Sequence, residues 1–67
     1  MSGMKRILEL LTEYEESLHA YGHADGLVVM LKRELLNYGM SDVRTMVEGI
    51  DREFDMLVFN NQTEGRF

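Results

Sequence analysis

The densest set of metal-ligand side chains in the chain is Glu15, Glu16, His19, His23 and Asp25. Glu16 and His19 form a Glu-x-x-His pair, and Glu15, His19 and His23 step by four, a spacing that puts donors on one face of a continuous helix. Gly22 interrupts that helix before His23. A single Glu-x-x-His pair also lacks the inward-facing carboxylates that partner helices supply in di-metal bundles. The expectation is a solvated hairpin end with no metal and no cofactor; Glu16, His19 and His23 are the residues that would hold a metal if one bound.

Nucleophilic catalysis would need Ser17 with His19, or Ser41 with Asp42, to act as nucleophile and base. Neighbours that close in sequence do not face each other on a helix. Gly22 and Gly26 lack the Lys-Ser/Thr of a phosphate loop. A short helical chain also has little depth for a substrate pocket, so the expectation is a protein that is not an enzyme.

One acidic edge remains, formed by Glu48, Asp51 and Asp55. Such an edge is ordinarily a solvated helix face. Its functional reading is a dock for a basic surface, which would make the chain a small acidic inhibitor or decoy of a nucleic-acid enzyme or repressor. Direct contact with nucleic acid is disfavoured by a net charge of −5, because phosphate attraction depends on clustered Lys and Arg. A helix-turn-helix regulator built on Gly39-Met40-Ser41 is the third reading. It leaves only Lys32, Arg33, Arg44 and Arg52 to offset the acids of the would-be recognition helix.

The elements that must position these residues follow from apolar spacing. Met4, Ile7, Leu11, Tyr14, Leu18 and Tyr21 recur every three or four residues, with Leu8 and Leu10 widening the stripe, which predicts a helix over 4–21. Lys5 and Arg6 at its start and Glu13, Glu15 and Glu16 toward its end oppose the helix dipole. An antiparallel second copy would bring these charges together favourably. Gly22 to Gly26 is a short break in which Gly22 suits a C-cap and Asp25 an N-cap. The next helix, 26–38, therefore folds back on the first as a hairpin. Gly39 ends it, Ser41 caps a third helix over 42–59, and residues 60–67, including Phe67, read as a flexible tail. Gly49 falls off the third helix's apolar arc.

The central helix has two apolar sides. Leu27, Val28, Leu31, Leu35 and Tyr38 share an arc of about 100°, while Val29 and Leu36 lie nearly opposite. Two sides need two neighbours. Val29 and Leu36 are accordingly expected at a subunit contact, together with Leu10 and Tyr14 of the first helix. The expected core is Ile7, Leu11, Tyr14, Leu18, Leu27, Leu31, Leu35, Val43, Val47, Ile50, Phe54 and Leu57.

The chain has 67 residues and no Cys, enough for one domain that buries only about 60% of its unfolded surface, with no disulfide or thiolate-zinc staple. Oligomerisation is the obvious support for so small a core. No apolar run reaches the roughly 20 residues of a membrane span, and a cytoplasmic location is the default expectation. The sequence thus predicts an all-α, three-helix domain, a helical hairpin plus a third helix, assembled as a homo-oligomer. Its expected task is non-catalytic protein interaction or regulation.

Overall fold

The computed structural model describes residues 2–64, with side chains described for 3–59. Within them the chain is three helices and no strand: α1 (Ser2–Tyr21), α2 (Gly26–Leu36) and α3 (Ser41–Glu64). The three-helix expectation holds, with shifts at the ends. α1 begins at Ser2, and α3 continues five residues past the expected end at 59, so 60–64 are helix where a tail was expected. Phe67 lies outside the described residues.

The breaks work as their residues dictate. Gly22 adopts φ +90° and its N–H bonds the Leu18 carbonyl at 2.8 Å, closing α1 in the left-handed region that only glycine enters cheaply. Asp25 caps α2 by accepting from the Leu27 N–H at 3.0 Å. Gly39, at φ +69°, turns the chain into α3. There the first helical bond runs from Arg44 N–H to the Met40 carbonyl. Ser41 is therefore the first helical residue and not the cap.

Contacts between helices fix their directions. Lys32 meets Asp51, and Leu36 shares a groove with Arg44, so α2 and α3 are antiparallel. Leu8 shares a groove with Met46, His19 stacks on Phe54, and His23 meets Asp55, so α1 and α3 are parallel. The molecule is an up-down-up bundle. Since His23 already lies beyond α1 and is level with Asp55, α3 outruns the other two helices from Met56 onward. The long dimension of 49 Å accordingly exceeds the roughly 30 Å that the twenty residues of α1 span.

The core is Ile7, Leu10, Leu11, Tyr14 and Leu18 of α1, Val28, Leu31 and Leu35 of α2, and Val43 and Val47 of α3, with Ile50 and Phe54 half-buried against it. Two expected core residues are corrected. Leu27 is 44% exposed because the buried line of α2 is Val28, Leu31 and Leu35, which turns the inward face about 70° from Leu27 and toward Lys32. Leu57 has a core-facing azimuth but is 46% exposed, since it sits on the overhang where no neighbouring helix reaches. Two expected interface residues are also corrected. Leu10 and Tyr14 are 1% and 0% exposed within a single chain and have no surface left for a subunit contact.

Candidate functional site

The chemistry-bearing residues converge on one carboxylate. Tyr14 of α1 donates its hydroxyl to Asp51 Oδ1, and Lys32 of α2 donates to Asp51 Oδ2 at 2.8 Å, so a single α3 side chain ties all three helices. Asp51 is only 18% exposed and Lys32 40%. A tyrosine at the centre of the α1 stripe buries its ring and still needs a partner for its oxygen. Asp51 is that partner, and the charge this brings inward is balanced by Lys32. The pKa of Tyr14 is raised above the ordinary tyrosine range, first by burial, then by the hydrogen bond to Asp51, then by the charges of Asp51 and Asp55. The phenol is thus held protonated, as a donor.

Asp51, expected at a partner-binding edge, has both of its oxygens engaged inside the fold. The other two members of the edge stay at the surface. Glu48 lies 3.6 Å from Arg44, and Asp55 lies 3.1 Å from His23 Nε2. Glu48, Asp51 and Asp55 do line one open groove of α3, shared with Arg52, Met56 and Phe59. With Lys32 on Asp51, Arg44 beside Glu48 and Arg52 among them, the edge is close to charge-balanced.

The ligand-type cluster at the hairpin end is organised around an aromatic ring. Phe54 takes His19 edge-on at 5.4 Å between centroids and His23 at 5.3 Å. Both imidazoles thus cover the half-buried Phe54, and His23 in addition reaches Asp55. Glu16 stands exposed on α1. Among the described residues no three His, Cys, Asp or Glu side chains come together as a metal site would require. Ser41 lines a shallow groove with Leu36, Gly39, Met40 and Arg44, and no base is among them.

A third groove runs between α1 and α3, about 420 Å³ in volume, lined by Leu8, Leu11, Thr12 and Glu15 on one side and Met46, Gly49, Ile50 and Glu53 on the other. Leu8 and Met46 are 53% and 50% exposed at its rim. A Cβ added to Gly49 would meet nothing within 4 Å, so this position opens the groove and does not serve a close helix contact. Val29 and Leu36, on the outer side of α2, are 49% and 41% exposed. No helix among the described residues is long and apolar enough to cross a membrane.

Sequence reasoning placed Asp51 among surface acids, yet its signal was present: a core tyrosine demands a buried acceptor, and Lys32 directly follows the apolar run 27–31 at the margin of the inward face of α2. Compared with family models, with curated proteins and with solved structures, the chain matches none.

Proposed function

We propose that this chain is a small, non-catalytic interaction module that works by associating with copies of itself. The observation that carries the reading is the balance of its apolar side chains. Among the described residues fourteen large hydrophobic side chains are exposed against ten that are buried, and they lie on all three helices and the α2–α3 link. Single exposed apolar residues are ordinary; it is their outnumbering the buried ones on so small a chain that supports a contact. A core of this size is also marginal without added burial.

The acidic-decoy reading has less support, because the edge it relied on is largely neutralised by Lys32, Arg44 and Arg52 and one of its three carboxylates is used within the fold. The same edge gives a helix-turn-helix no positive face to present to phosphate. Sedimentation velocity tests the proposal. The expected result, at tens of micromolar, is a mass that is a multiple of the 7.8 kDa chain. A monomer mass up to several hundred micromolar would defeat it.

A further inference from the structure

We propose that the α1–α3 groove is the self-association site, occupied by α1 of a second copy running antiparallel across a two-fold axis near residue 10. This rests on the self-associating reading above and names its face.

On the outer side of α1, Lys5, Leu8, Thr12 and Glu15 recur at spacings of three, four and three, a second seam beside the one that fills the core. Its ends carry opposite charge. Among the described residues, Lys5 at one end makes no ion pair, and neither do Glu15 or Glu53 at the other. An antiparallel copy set so that its Lys5 faces Glu15 also sets its Leu8 on Thr12, since both pairs are symmetric about residue 10. The two-fold then repeats each contact, as a closed dimer requires.

The α3 wall supports the same register. Met46, Gly49 and Glu53 are spaced three and four, and the parallel course of α1 and α3 sets them near the levels of Leu8, Thr12 and Glu15. The incoming Lys5 thus meets two carboxylates, Glu15 and Glu53. The incoming Leu8 meets Thr12 and the open space above Gly49, where a side chain would stand in its way. The Thr12 hydroxyl already donates to the Leu8 carbonyl at 3.0 Å, so covering it strands no polar group and leaves its methyl for contact. Antiparallel α1 helices also offset each other's dipoles.

The outer line of α2 has no such complementarity. A two-fold pairing of Val29 with Leu36 would be centred between Lys32 and Arg33 and would bring these cations of the two chains together.

The test uses the full chain and three variants, with mass read by sedimentation and helicity by circular dichroism. Gly49→Gln adds a side chain where the single chain has room, so helicity is expected to hold while the dimer dissociation constant rises at least about tenfold. Lys5→Glu is expected to weaken the dimer by about tenfold as well, and Lys5→Glu with Glu15→Lys to recover most of that loss. Two exposed surface charges and their exchange give a readout that survives if Gly49→Gln proves to perturb the fold. A native dimer that neither Gly49→Gln nor Lys5→Glu weakens would overturn this face and leave self-association standing. A native monomer would overturn both.

Discussion

Tyr14 and Asp51, 37 residues apart in sequence, are joined by a hydrogen bond from the tyrosine hydroxyl to the carboxylate, and this contact closes the hairpin of α1 and α2 onto α3. Asp51→Ala would leave the Tyr14 hydroxyl buried without an acceptor and is expected to lower stability by about 1–3 kcal/mol. Tyr14→Phe removes the donor but keeps Lys32 on Asp51, so its loss should be about 1 kcal/mol. Urea unfolding of both single variants and the double variant measures the coupling. Additive losses would show that the two groups do not act together.

The same pair sets an alkaline limit. In the unfolded chain a tyrosine ionises near pH 10, whereas burial and Asp51 raise that ionisation for Tyr14 in the folded chain. The folded state therefore binds the proton more tightly. The stability this contributes is whole below about pH 10 and is lost as pH climbs through the raised value, with a slope of about 1.4 kcal/mol per pH unit for one proton. Stability measured between pH 8 and 11.5 should fall above pH 10 in the native chain, and Tyr14→Phe should remove that component of the slope.

Two glycines should respond in opposite directions to alanine. Gly22→Ala puts a side chain at φ +90° and is expected to destabilise the fold by about 1 kcal/mol or more. Gly49→Ala, in mid-helix with nothing within 4 Å of the new Cβ, should stabilise it by about 0.5–1 kcal/mol. Thermal melts of the two variants check both signs.

Val29→Glu with Leu36→Glu tests the outer side of α2. If the subunit contact lies in the α1–α3 groove, this double variant should keep the native mass in sedimentation and the native helicity. A shift to monomer would return the contact to α2.

The helices, their breaks and most of the core are legible in the sequence because each rests on local spacing. Ile7, Leu11, Leu18, Leu31, Leu35, Val43 and Val47 sit on stripes that any amphipathic helix would bury. The misplacements arise where a stripe's azimuth depends on its neighbours. Leu27 and Val28 are both apolar and adjacent, and only the packing of α2 against α1 and α3 decides that Val28 goes in. Leu57 has the right azimuth, and its exposure comes from the length of α3 relative to α1, which no periodicity reports. Asp51 was hardest to read. An acid at the margin of an apolar arc looks solvated until the partners that reach it, 19 and 37 residues away, are brought alongside.

The overhang of α3 divides that helix into two regimes of amide exchange. From Arg44, the first amide with a helical acceptor, to Asp55 the helix is anchored to the core through Val47, Ile50 and Phe54, and those amides open chiefly when the bundle opens. From Met56 to Val58 neither α1 nor α2 is level with the helix, so the barrier to exchange there is the helix–coil equilibrium of the end itself. Deuterium uptake followed residue by residue should step upward within one turn after Asp55. That step marks where the cooperative unit of this protein stops, several residues before the helix does.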